Sequence, residues 1–286
     1  VLVGRSIASV ALLATACQFD PAGPAGTAAE PAADAGTDEE VPAFDLVLPG
    51  PARYLYDTTT GSLEREGGEA IEVPSEVADG VRVIAAGSVL LAPEAVLRVV
   101  GELPLSIVAA SAIEIDGTLD ASSSLARGDA AGSSGGTVSL AARARLAVGG
   151  RILVGGAGGA GGGLSSAGGA GGGGGAIGLT AHEIVLAEGA VLSANGGGGG
   201  EGGDVDEVGR PGEDAPADGR RAHGGAGDAN DGGDGGEGAG DMDAAGKPGK
   251  AGGGAEGAAG GAGGAGGVIR LVGLVTDGGA HITPLY

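Results

Sequence analysis

The residues able to do chemistry are few and widely separated. His182, His223 and His281 make up the whole histidine set. No two of them have the short spacing by which one local element presents a pair of imidazoles to a metal. Polysaccharide cleavage would need carboxylates gathered on one face, with a group placed to abstract a proton. The nearest approach is Glu114 and Asp116, which a strand would put on one face, with Asp120 beyond the next corner. Arg143 and Arg145 fall one strand away, and the aligned neighbouring stretches supply Ala147 and Ala187, so no column of acids builds up. Asp116 and Asp120 are instead expected as corner residues whose carboxylates accept backbone amides. No serine, histidine and acid set marks a nucleophile. No lysine followed by serine or threonine closes a glycine string into a phosphate loop. The chain is therefore read as having no catalytic residues and no enzymatic activity.

Acidic residues are dense in one region. Residues 201–243 hold thirteen carboxylates among glycines, including the runs DVDE and GDMD. Calcium-binding β-rolls repeat a glycine-glycine-x-glycine-x-aspartate turn followed by an apolar residue. GGDGGEGAGD, residues 232–241, has the glycines but not the apolar residue, the repeat or the aspartate in register. No other cofactor is implied. Carboxylate density leaves weak calcium binding open, with its ligands unassigned. A flexible, solvated loop is expected here. The alternative is a bundle of extended polyglycine strands paired through backbone groups.

Composition limits the partners. The formal net charge is −22, and nucleic-acid binding depends on phosphate neutralisation by Lys and Arg, so nucleic acid is excluded as a partner. Glycine supplies 68 residues, and the only aromatics are Phe19, Phe44, Tyr54, Tyr56 and Tyr286. Any core must be built from alanine, valine, leucine and isoleucine. Glycine does not recur strictly at every third residue, so the chain is not collagen.

The beginning of the chain reads as targeting rather than fold. VLVGRSIASVALLATAC, residues 1–17, has one basic residue, Arg5, and an apolar run from Ile7 to Ala16 that is too short to span a membrane. It ends at Cys17, the only cysteine. Leu-Leu-Ala-Thr-Ala-Cys resembles the lipobox of bacterial lipoproteins, although Ala14 stands where leucine is commonest. That resemblance implies a lipid on Cys17 and attachment to a membrane through it. Gln18 in place of aspartate is similar to the pattern of outer-membrane sorting. The alternative is an ordinary secretory signal. Residues 18–42 are rich in proline, alanine, glycine and acid and cannot repay the entropy of ordering, so they are expected to form a disordered tether.

From Phe44 onward short β-like runs follow one another: FDLVLP, RYLYD, IEVP, VRVIAA, SVLLA, VLRVVG, LSIVAA and AIEIDGTLDA. Stacking them exposes a repeat. SIVAASAIEIDGTLDAS begins at Ser106, SLAARARLAVGGRILVG at Ser139, GLTAHEIVLAEGAVLSA at Gly178 and RLVGLVTDGGAHITP at Arg270. Ile107, Leu140, Leu179 and Leu271 then share a column. Ile115, Val148 and Ala187 share a second, and Leu119, Ile152 and Val191 a third. Gly117, Gly150 and Gly189, with Gly279, mark a corner where positive φ would permit a tight bend. Constant coils with variable spacing predict a solenoid, in which each coil buries its aliphatic residues only against its neighbours. The expected fold is all-β, a single-stranded right-handed parallel β-helix over residues 43–286, with long glycine-rich loop insertions, the largest at about 194–267. A β-sandwich would need longer strands and more aromatic filling.

AIEIDGTLDAS (112–122), EGAVLSANGGGGG (188–200) and GAGGAGGVIRLVG (262–274) resemble the glycine-rich lipoproteins of myxobacteria and related Gram-negative bacteria. The resemblance implies a pectin-lyase-like coil and carries no activity with it. The expected role is that of a cell-surface structural or adhesive lipoprotein, anchored at the outer membrane or exposed at the cell surface. Its expected partners are the membrane, through the lipid, and envelope polysaccharide or other surface proteins. The alternative is a polysaccharide-binding or calcium-dependent surface-binding module.

Overall fold

The computed structural model describes residues 44–123, 131–226, 232–240, 244–253 and 257–284. Cys17, the signal-like segment and the tether therefore lie outside the described residues. The described residues are all-β and contain no helix, and so none long and apolar enough to cross a membrane.

The strands are short because glycine, proline or a small polar residue interrupts each aliphatic run. They are β1 (Leu46–Leu48), β2 (Ala52–Asp57), β3 (Ser62–Arg65), β4 (Glu69–Ile71), β5 (Ser75–Ala78), β6 (Val81–Ala86), β7 (Val89–Leu91), β8 (Ala95–Val100) and β9 (Leu105–Ala109). Then come β10 (Ala112–Ile115), β11 (Thr118–Asp120), β12 (Thr137–Val148), β13 (Arg151–Leu153), β14 (Ala176–Leu186), β15 (Val191–Ser193), β16 (Val268–Asp277) and β17 (His281–Thr283). They form one nine-stranded and one eight-stranded sheet. The chain passes between the two sheets in turn. From β6 onward each pass lays one strand, or two short strands end to end, on the first sheet and a short strand on the second, parallel to the previous pass. Among the described residues antiparallel pairing is confined to the early strands: β5 folds back on β6, and β3 and β4 fold back beside β2.

The core lies between the sheets. Along β9, and along β12 and β14 on either side of a bulge, every second residue is buried, and like stacks on like: Ile107, Leu140 and Leu179 are paired in register, with Leu271 next to Leu179. Leu119, Ile152 and Leu192 form the matching column in the second sheet. Two columns of the expected alignment are corrected. Val148 pairs with Leu186, not Ala187, and Ile152 pairs with Leu192, not Val191. β12 carries one residue more than β14 between Ala142 and Arg145, a bulge that shifts the register. The turn after β14, residues 187–190, is then two residues longer than the Gly149–Gly150 turn after β12.

The corner glycines also divide into two kinds. Gly189 and Gly279 do have positive φ, at 81° and 107°. Gly117 and Gly150 do not. They are required because a β-carbon on Gly150 would collide with the carbonyl oxygen of Gly117 one pass below.

The described residues of the glycine-rich insertions are built rather than loose, and for them the expectation of a flexible loop is corrected. Residues 194–203 run through the middle of a bundle and are buried without exception. Six other stretches surround them: 154–163, 166–175, 207–216, 222–226, 232–240 and 257–267. The bonding has a period of three. Gly197, Gly200 and Gly203 donate to Gly172, Gly169 and Ser166. Gly198 and Glu201 donate to Glu213 and Arg210, and Gly199 and Gly202 to Gly236 and Gly233. Three residues per turn without bonds inside the segment describes the polyproline II conformation, which points successive amides outward in three directions. Every amide from Gly197 to Gly203 is paired, as burial demands. The alternative of extended polyglycine strands is the arrangement found. Segments stack so closely that a β-carbon on Gly197 would strike the carbonyl of Ala157.

Candidate functional site

The expected corner acids are only partly placed as anticipated. Asp120 accepts the Ser122 amide at 2.9 Å, as a corner residue should, and also pairs with Arg98 at 2.7 Å. Arg98 and Asp120 sit directly opposite each other on β8 and β11, so the strand register makes the ion pair. Asp116 lies against Gly149, close enough that a β-carbon there would be 2.6 Å from its Oδ1. Glu114 is exposed on β10, beside Ala147 and Leu90 in neighbouring strands. Arg145 pairs with Glu183 at 3.7 Å across to β14. Acids do not line up from pass to pass.

The histidines stay apart in role. His182 is exposed at the bulge of β14. His223, also exposed, gives its backbone amide to Glu213 Oε2 at 3.0 Å. His281 borders a cleft with Arg151, Pro216, Asp218 and Arg220. Among the described residues no group of three or more His, Cys, Asp or Glu is arranged to hold a metal.

The acids of the insertion act as fasteners. Asp204 accepts the amides of Asp206 and Glu207 and closes the turn between two bundle segments. Glu201 Oε2 takes the Arg210 amide, and Asp214 Oδ1 takes that of Gly158. Glu237 pairs with Lys247 and Asp234 with Lys250, a ladder repeating every three residues. Glu213 holds Arg220 through both carboxylate oxygens. The Arg220 hydrogen bonds pull its carboxyl down to about 2. These side chains were legible as acidic but not as structural. Their signal was the three-residue spacing of Asp234 to Glu237 and of Lys247 to Lys250.

One polar groove stands out, and sequence reasoning missed it. Thr58, Arg98, Ser122, Ser123, Ser133, Ser134 and Thr137 line it. The first pass supplies Thr58, β8 supplies Arg98, and the two ends of the insertion between β11 and β12 supply the serines. Arg98 is fixed by Asp120 and by the Ser122 carbonyl. Ser122 Oγ accepts the Gly155 amide, and Ser123 Oγ donates to the Ser134 carbonyl. The lining offers hydroxyls and one guanidinium, which suits hydrogen bonding to a hydroxylated ligand. No imidazole or thiol is among the lining residues.

Comparison with family models, with curated proteins and with solved structures finds no match to this chain.

Proposed function

We propose that this chain is a non-enzymatic cell-surface structural or adhesive lipoprotein: a right-handed parallel β-helix, stiffened along one flank by a glycine bundle and held at the outer membrane by lipid on Cys17. The carrying observation is the bundle. Its acids fasten turns and segments, and its amides are consumed in packing. A chain that commits so much sequence to rigid backbone contact is suited to holding a shape at a distance from its anchor. The parallel addition of one strand to each sheet per pass supports the β-helix. The likeness of residues 1–17 to a lipobox supports the anchor, and the coil motifs support the relation to glycine-rich envelope lipoproteins.

A second reading, a polysaccharide-binding module, is favoured by the hydroxyl-lined groove beside Arg98. A glycan-array screen of the full chain, with and without calcium, separates the two. No saturable signal, with altered cell-surface properties when the protein is deleted, supports the structural reading. A saturable, sugar-specific signal that Arg98→Ala removes overturns it.

A further inference from the structure

The two ends of the stack are finished differently. At the first end β5 turns back antiparallel on β6 and carries the exposed Glu76. At the last end β16 is bonded only to β14 among the described residues, and no strand folds back over it. β16 is ten residues long and uncharged between Arg270 and Asp277, in a chain whose net charge is −22. Val268, Val272, Leu274 and Val275 are 59%, 42%, 66% and 45% exposed. Long, apolar edge strands offer a row of free amides and carbonyls to another chain, and monomeric proteins normally blunt them.

This edge complements itself. Leu271–Val272 and Leu274–Val275 put one leucine and one valine on each side of Gly273. Leu271 and Val275 face the core side, because they pair with Leu179 and Ile184, both buried. Val272 and Leu274 face outward. An antiparallel pair of β16 strands centred on Gly273 therefore sets Leu271 opposite Val275 of a second copy, and Val272 opposite Leu274. Side chains directly opposed across an antiparallel pair must lie on the same face, and here both pairs do. Arg270 falls opposite Thr276, so no like charges meet. Pairing to the first end of another copy would instead meet Glu76 and a strand already turned antiparallel, and would grow without closing.

We infer that the β16 edge is the twofold interface of a homodimer, with Gly273 on the axis. The dimer extends the first sheet continuously through both copies and covers the apolar end of each core. Because each copy is strongly acidic, association strengthens as salt screens the repulsion between the remaining surfaces.

The test is sedimentation equilibrium of the full chain, in detergent where it carries lipid, over a range of concentration and salt. The expected species is a closed dimer. Leu274→Glu alone and Val272→Lys alone should each weaken it about tenfold or more, since a charge would face an apolar partner. Val272→Lys combined with Leu274→Glu places Lys opposite Glu twice and should restore the dimer. Val272→Glu combined with Leu274→Glu should not. Both positions are exposed, so circular dichroism should show every variant folded. A wild-type monomer at all concentrations overturns the proposal. So does an open-ended polymer, a dimer indifferent to Leu274→Glu, or a double variant that fails to recover.

Discussion

The amide of Gly264 donates to the carbonyl of Gly197 at 2.8 Å, and Gly197 donates in turn to Gly172 at 2.9 Å. Three segments far apart in sequence are thus tied through atoms that every residue possesses. Only glycine permits it, because each segment lies where its neighbour's β-carbons would be. The arrangement makes glycine substitutions unequal. Gly200→Ala should destabilise by about 1–3 kcal/mol or more, since its β-carbon would strike the Ala160 carbonyl. Gly173→Ala should be tolerated, because its nearest neighbours would be 3.5 and 3.6 Å away, and it should stabilise by about 0.4–1 kcal/mol through the unfolded chain. Thermal unfolding of the two variants checks the pair.

A buried polar pair joins the bundle to the last pass. Thr283 Oγ1 donates to Asn195 Oδ1 at 2.6 Å, and Asn195 Nδ2 donates to the Pro216 carbonyl at 3.0 Å. Both residues are buried. Asn195→Leu should cost about 1–3 kcal/mol for each partner left unsatisfied. Denaturant unfolding should show this loss, and Thr283→Val in the Asn195→Leu background should recover part of it.

The aliphatic columns should behave as a close-packed core. Ile152 is fully buried between Leu119 and Leu192. Ile152→Ala should cost about 2–5 kcal/mol. The exposed Val47→Ala, on the outward face of β1, should fall within about 0.5 kcal/mol of the parent. Equilibrium unfolding of both variants gives the comparison.

Acid should loosen the Glu213–Arg220 fastening. The carboxyl of Glu213 is drawn from 4.5 to about 2, chiefly by its hydrogen bonds to Arg220. A lowered folded-state pKa contributes stability above pH 4.5 that is lost as pH falls through about 2. The pair is partly solvated, so its contribution should be no more than about 1 kcal/mol. Unfolding free energies of the parent and of Glu213→Gln should differ at pH 6 and converge towards pH 2.

Much of the strand framework was legible because stacked coils repeat their aliphatic positions. Ile107, Leu140, Leu179 and Leu271 align by eye and pair in the structure. The alignment slips past Ala142, because a bulge adds a residue without altering composition. The hairpin of β3 and β4 was hidden in a polar stretch whose turn, at Gly67 and Gly68, depends on positive φ. The bundle was harder to see for a deeper reason. Most of its bonds join backbone to backbone, so the usual signal of alternating side chains is missing. What remained was glycine at two of every three positions, as in GAGGAGG, with exposed Ala259, Ala262 and Ala265 at the third. The groove at Arg98 could not be read at all, since Thr58, Arg98 and Ser134 meet only through the stacking of separate passes.

Amide hydrogen exchange tests the ordered bundle most directly. Residues 197–203 should exchange as slowly as Leu140 and Leu146 in β12, because their amides are buried and bonded to three of the surrounding segments. Exchange of these glycine amides at the rate of an unstructured peptide, while β12 stays protected, would contradict the account.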